Sequence, residues 1–160
     1  KLARGMTEEI PETLDLRELV DAAVVDARRA GAEVRWTPGA ASVLCAVRPR
    51  ALERILANLF DNARRYGGGR AIDVECECEE DQVVIRVLDR GPGIPAAERD
   101  AVFRPFHRLE PARSAAGGGS GLGLAIARQL ADANHWLIAL DARPGGGTVA
   151  SVRIACKTPA

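Results

Sequence analysis

The sequence predicts an α+β fold: a two-layer sandwich in which about three long helices cover one face of a mixed sheet. Three observations predict it. Two pairs of strand-like stretches are joined by turns too short for the helical crossover that parallel neighbours need. Three stretches with apolar residues at helical spacing are interleaved with the strands. The chain has 160 residues, 47% hydrophobic and 28% charged, enough for one domain with a real core.

The elements follow in order. Residues 1–12 are expected to be a linker, with residues 13–160 forming the domain. "EEIPETLDL" ends in a short strand. "LRELVDAAVVDARRAG" places Leu16, Leu19, Val20, Ala23, Val24 and Ala27 on one helical face, and Gly31 stops it. "AEVRWTPG" and "ASVLCAV" read as two strands joined by a Pro-Gly turn. Pro49 opens a second helix at its first turn, with Leu52, Ile55, Leu56 and Leu59 as its stripe and an end near Tyr66. "AIDVECECE" and "QVVIRVLD" form a hairpin about residues 79–81. An irregular stretch from about Pro105 to Gly119 precedes a third helix, "GLGLAIARQLADA". The last 21-residue stretch, "WLIALDARPGGGTVASVRIAC", closes as a hairpin across Gly145 to Gly147.

Composition excludes several functions. Lys plus Arg and Asp plus Glu are equal at 22 each, and aromatics are 4%, so neither a basic nor a stacking surface for nucleic acid is indicated. No apolar run is long enough to cross a membrane, and no signal-peptide pattern opens the chain. In "IDVECECEE", Cys76 and Cys78 alternate with glutamates, which predicts thiols inward and acids outward. Core packing is favoured over a metal site, since the only histidines are His107 and His135. The four cysteines, Cys45, Cys76, Cys78 and Cys156, read as thiols of a reducing compartment.

Glycine clusters carry the chemistry. The P-loop pattern is absent. "VVIRVLDRGPGIPA" mimics a Rossmann turn, but Pro92 and Pro95 remove backbone donors and no long helix follows. In "GGGSGLGLAIARQL", glycines lead directly into a helix, where free N–H groups and the helix dipole favour an anion such as phosphate. A flexible loop closed by a helix cap reads the same pattern. In "NLFDNARRYGGG", Asn58 and Asn62 share one helical face. Their amide oxygens are hard neutral ligands suited to Mg²⁺ whose remaining coordination comes from water and phosphate. A polar outer face is the plainer account of an isolated pair. Asp89 ends a strand before "GPG", where a carboxylate could accept an adenine amine or simply cap the turn.

Four blocks, in order, resemble the ATP-binding (HATPase, GHKL superfamily) domain of bacterial two-component sensor histidine kinases. "NLFDNARRY" is similar to the N box, "DRGPGIP" to the G1 box, "VFRPFHRLE" to the F box and "GGGSGLGLAIA" to the G2 box. The resemblance covers essentially the whole chain. It implies a Bergerat ATP-binding fold with a long ATP lid, and Mg-ATP as ligand. Asn62 would ligate Mg²⁺, Asn58 would hold the metal–phosphate array, and Arg65 would face phosphate. Tyr66 would contact adenine and Asp89 its amine, with Gly91 and Gly93 admitting the base. Phe103 and Phe106 would anchor the lid. Arg113 could reach phosphate, Gly119, Gly121 and Gly123 would line the phosphate side, and Leu122 and Leu124 would seat the helix.

The resemblance further implies transfer of the γ-phosphoryl group to a histidine on a separate dimerisation domain, then relay to a response regulator. Residues 1–12 would be the linker or tail of the preceding dimerisation helix. The parent would be a homodimeric inner-membrane protein with this domain on the cytoplasmic side, the fragment itself monomeric. Neither His107 nor His135 has the phosphoacceptor's context. "NHW", residues 134–136, stands where the family has His-Gly-Gly; Asn134 could supply the left-handed residue of that helix-end turn, and Trp136 could cover a sheet edge or a neighbouring domain. An anti-sigma-type serine kinase and a degenerate ATP-binding module are the alternatives.

Overall fold

The computed structural model describes residues 9–39, 42–107 and 122–156. The chain enters through a strand, β1 (Glu12–Asp15), and a helix, α1 (Leu16–Arg29). Asp15 caps α1: its Oδ1 accepts from the Arg17 amide at 3.0 Å and also from the Val43 amide at 3.0 Å. The predicted stripe is buried at Leu16, Leu19, Val20, Val24 and Ala27. Strands β2 (Val34–Trp36) and β3 (Leu44–Val47) then lead to α2 (Pro49–Tyr66), whose buried face is Ala51, Leu52, Ile55, Leu56, Leu59, Phe60 and Ala63.

Arg48, at the N-cap of α2, makes no capping bond. A residue from the start of the chain does so instead. Glu9 Oε2 accepts from the Arg50 amide at 2.9 Å and Oε1 from the Ala51 amide at 3.3 Å, an acid at the positive end of the helix. Arg48 in turn donates to the Glu9 carbonyl at 2.7 Å and to Asn134 Oδ1 at 2.9 Å.

The main sheet has the order β2-β4-β5-β7-β6, completed by β4 (Ile72–Glu79), β5 (Gln82–Leu88), β6 (Leu137–Ala142) and β7 (Thr148–Ala155). Both predicted hairpins, β4–β5 and β6–β7, are antiparallel neighbours. β2 and β3 do not pair with each other as expected. β2 lies parallel to β4, Val34 opposite Ile72, and β3 lies antiparallel to β1, Leu14 opposite Cys45. The reason is α2, which returns the chain to the sheet and supplies the crossover a parallel pair requires.

Helices α1, α2 and α3 (Gly123–Ala133) cover one sheet face, and Ile72, Val74, Val83, Ile85, Val87, Val152 and Ile154 fill the core beneath them. On the outer face Arg86 pairs with Glu75, Glu77 and Glu79, and Arg153 with Glu79 at 3.1 Å. The glutamates therefore point outward, as the alternation predicts. Cys76 packs partly against the core, but Cys78 is exposed: β2 pairs with β4 only as far as Val74, so beyond it β4 has no strand paired on that side among the described residues. Burial pushes the Cys76 thiol up to about 11. Cys45 and Cys156 are joined in a disulfide, so two of the four cysteines are not thiols.

The helix-end turn at "NHW" is intact, with a different residue in the left-handed position from the one expected. His135, not Asn134, takes the left-handed conformation, with φ 59°. The His135 amide donates to Asp132 O and the Trp136 amide to Ala131 O at 2.9 Å, the bond pair of a Schellman motif. Trp136 is buried in this domain's own core rather than exposed to another.

Candidate nucleotide-binding site

The site is built along α2. Asn58, Asn62 and Arg65 recur at i, i+4 and i+7, one stripe of the helix. Asn58 lies beneath the start of α3. A Cβ on Gly123 would stand 3.5 Å from Asn58 Oδ1, so the two helices meet closely there. Asn58 Nδ2 is buried and has no hydrogen-bond partner among the described residues. A buried amide donor without a partner is costly, and it fits a site whose acceptor arrives with a ligand. Asn62 is half-buried one turn further on. Arg65 Nε pairs with Asp61 at 3.1 Å on the exposed side of the stripe.

The other end of α2 meets the strand exits. Asp89, just past β5, is 4% exposed. Its Oδ1 accepts from the amides of Gly91 at 2.9 Å and Thr148 at 3.1 Å, and its own amide donates to the Thr148 carbonyl at 2.9 Å. Among the described residues no donor reaches Oδ2. Burial raises the carboxyl above its ordinary pKa, while the two amides and the Arg143 guanidinium pull it back.

Three backbone segments touch around this carboxylate. A Cβ on Gly91 would lie 2.1 Å from the Tyr66 carbonyl oxygen, and one on Gly147 would lie 2.1 Å from the Asp89 carbonyl oxygen. Gly93 has φ +82°, and a Cβ there would meet Gly147 O at 3.2 Å. Protein packing by itself thus accounts for both glycines of the G1-like block. Tyr66 is half-buried where α2 ends, and a Cβ added to Gly67 just beyond it would stand 3.4 Å from the Asp89 Cβ.

The F-box-like block divides. Phe103 is buried, with the Arg128 guanidinium of α3 4.7 Å from its ring centre. Phe106 is not an anchor: it is 69% exposed and holds φ 65°. The short turn Ala101–Phe103 carries Phe103 inward, and the chain reverses before Phe106 can follow. His107 faces Glu98 at 3.6 Å. Leu122 is half-buried before α3, and Leu124 is buried and seats the helix. Arg113, Gly119, Gly121 and most of the expected lid lie outside the described residues.

Thr148 and Arg143 join the site without belonging to any of the four blocks. β5 and β7 pair with Leu88 opposite Val149, and that register sets Thr148 against Asp89. No local pattern announces it. A separate groove of about 400 Å³ lies between α1 and α2, walled by alanines and Phe60, and holds none of the predicted site residues but is edged by Asp61. Among the described residues no group of three or more His, Cys, Asp or Glu side chains could hold a metal.

Asn58 and Gly67 are separated by nine positions of α2 and its cap, about 14 Å along the axis at 1.5 Å per residue. One end of that line offers an unpaired amide and a helix start; the other offers a buried carboxylate in backbone. The chain belongs to the histidine kinase-, DNA gyrase B-, and HSP90-like ATPase family, which matches residues 47–158. Within that family the chain is similar to sensor histidine kinases. It is 40% identical over 147 residues to the sensor protein CutS of Streptomyces coelicolor, covering 88% of this chain and 35% of CutS. It is 36% identical over 132 residues to the sensor histidine kinase CpxA of Escherichia coli, covering 81% of this chain and 28% of CpxA. The solved structure of the mycobacterial sensor histidine kinase MprB superposes with TM-score 0.74 at 27% identity, covering 94% of this chain and all of that one. The chain corresponds to the ATP-binding catalytic domain of such kinases and spans about a third of the length of the curated relatives it matches.

Proposed function

We propose that this chain binds Mg-ATP and presents the γ-phosphoryl group to a histidine on a separate dimerisation domain of the same parent protein, for relay to a response regulator. The observation that carries this is the buried, unpartnered Nδ2 of Asn58 under the start of α3. A phosphate oxygen is the acceptor that such a donor suits, and the first amides of α3 add to it. Asn62 offers a neutral, hard oxygen to Mg²⁺, which takes few protein ligands and completes its shell with water and phosphate. Bound there, Mg²⁺ would neutralise phosphate charge. Asp89 would accept the adenine amine on its free Oδ2, Tyr66 would flank the base, and Arg65 would leave Asp61 for phosphate. Arg113, Gly119 and Gly121 would close over the phosphates from the lid.

The residues of this chain bind, orient and exclude water; the nucleophile comes from elsewhere. Residues 13–160 form the domain, with residues 1–12 as the linker from the dimerisation helices, although Glu9 is already docked on α2. The fragment is monomeric and its parent homodimeric, with this domain on the cytoplasmic side of the inner membrane, where ATP is found. The intact turn at His135 removes the motive for reading a degenerate module.

The test uses Asn62→Ala. The native chain should bind ATP more tightly with Mg²⁺ than with EDTA, and should not phosphorylate itself. Adding a separately made dimerisation domain should yield phosphohistidine. Asn62→Ala should lose the Mg²⁺ dependence and the transfer together, and full transfer by this variant would refute the assignment.

A further inference from the structure

Two arginines grip the strand exit that carries Asp89. Arg143 follows β6, and its Nη1 donates to the Leu88 carbonyl at 3.4 Å and to the Asp89 carbonyl at 3.1 Å. Its Nη2 is bound to Asp73 Oδ2. The same oxygen takes Arg90 Nη2 at 2.7 Å, and Arg90 Nη1 donates to the Ala71 carbonyl. Asp73 stands on β4 directly opposite Leu88, so the anchor is fixed by the β4–β5 register. Arg143 and Asp73 side chains are 18% and 22% exposed, sheltered enough for their bonds to hold direction.

Sequence places these groups far apart, and none belongs to the four blocks except Arg90. In space they converge on one dipeptide, Leu88-Asp89, whose two carbonyls Arg143 holds. Asp89 is thereby held twice: its side chain by two amides, its main chain by one guanidinium. With Asp89 ionised, the two arginines and two aspartates sum to zero charge. Asp73 neutralises one guanidinium, and the other is left to balance Asp89.

We propose that Arg143, anchored by Asp73, is a positioning residue for base recognition: it never touches nucleotide, but aims the free Oδ2 of Asp89 at the exocyclic amine of adenine. The inference rests on the reading of Asp89 given above. Arg143 also lies among the groups that keep the buried Asp89 carboxyl ionised. Its planar fork reaches two carbonyls and a carboxylate at once, which a lysine ammonium does not reproduce.

The experiment measures ATP and GTP affinity by calorimetry for the native chain, Arg143→Met, Arg143→Lys, Asp73→Asn, Asp89→Asn and Arg143→Met combined with Asp89→Asn. Asp89→Asn must first weaken ATP; if it binds ATP as the native chain does, the reading of the base site fails, whatever Arg143 does. Given that it weakens ATP, Arg143→Met should lower ATP affinity by about three- to tenfold with GTP unchanged, the size expected of coupled neighbours. Arg143→Lys and Asp73→Asn should fall between native and Arg143→Met. In the Asp89→Asn background, Arg143→Met should change nothing further. Equal loss for ATP and GTP, or a full additional loss in the double variant, would assign Arg143 a purely structural role and overturn the inference. Should Arg143→Met fail to fold by circular dichroism, Arg143→Lys and Asp73→Asn carry the same comparison.

Discussion

Asp89→Asn separates binding from stability, because the carboxylate is costly to the free protein. It is buried, and its pKa is raised by that burial. An acid whose folded pKa lies above its unfolded value gives stability that is present below the unfolded value, near 3.9, and lost as pH rises through the folded one. At neutral pH the ionised Asp89 therefore weakens the free fold. Asparagine keeps one oxygen to accept from the Gly91 and Thr148 amides, which stand at 2.9 and 3.1 Å. The exchange of two charge-assisted bonds for two neutral ones is set against relief of a buried charge, so free stability should change by less than about 1 kcal/mol. That is a melting shift within about 2–4 °C for a chain of this size. The advantage of the asparagine variant should grow from pH 4 to pH 7. The ligand side runs the other way. Losing a hydrogen bond to a charged acceptor costs about 1.5–3 kcal/mol, so ATP affinity should fall by about 10- to 150-fold. Calorimetry with Mg-ATP and melting curves without nucleotide read the two effects separately. ATP affinity within about twofold of native would refute the carboxylate reading. A free-protein melting point lower by more than about 8 °C would show that Asp89 is a structural turn cap instead.

Four further outcomes are expected. Gly91→Ala would drive a Cβ to 2.1 Å from the Tyr66 carbonyl, backbone against backbone, and should cost about 1–3 kcal/mol or more in urea denaturation; an unchanged midpoint would show that the two loops are not packed as described. His135→Gly relieves a side chain held at φ 59° and should raise the melting point by about 2–4 °C with ATP affinity unchanged, while a lower melting point would count against the left-handed turn. The disulfide Cys45–Cys156 closes a separation of 111 residues, so Cys45→Ser with Cys156→Ser should lose about 2–4 kcal/mol, and dithiothreitol should destabilise only the native chain. Mass spectrometry after alkylation without reductant should find Cys78 modified fast at pH 8 and Cys76 slowly, its thiol being pushed up to about 11; four labelled cysteines would contradict the disulfide.

What was legible in the sequence was local. Leu52, Ile55, Leu56 and Leu59 repeat at helical spacing, Pro49 and Gly31 punctuate, and the hairpin turns are short enough to force antiparallel pairing. Asn58, Asn62 and Asp89 stood out because amides and an acid interrupted otherwise apolar patterns. Long-range pairing was less legible. Nothing within β2 or β3 says that one joins β4 and the other β1, since a three- or four-residue strand has too little pattern to choose a partner. Thr148, Asp73 and Arg143 act through cross-strand register, which no local signal encodes. The Cys45–Cys156 link is likewise a matter of where β3 and the end of β7 come together. At Phe106 the apolar residue type pointed to burial, but the residue sits inside the tight turn closed by the His107 amide on the Arg104 carbonyl, and no described residue buries it.

The floor of the proposed base site is main chain: Tyr66 O behind Gly91, Asp89 O behind Gly147, and Gly147 O beside Gly93. This limits how the site could be re-engineered. Chemical-genetic schemes that carve space for a bulky nucleotide analogue trim a large side chain to a small one, and at these three glycines there is nothing to trim. Enlarging them instead would press on carbonyl oxygens of three separate segments. An orthogonal nucleotide would therefore have to differ at the edge facing Asp89, exchanging its hydrogen-bond pattern, rather than in bulk. Acid-to-amide chemistry at position 89, tuned by what stands at Arg143, is the handle this architecture leaves open.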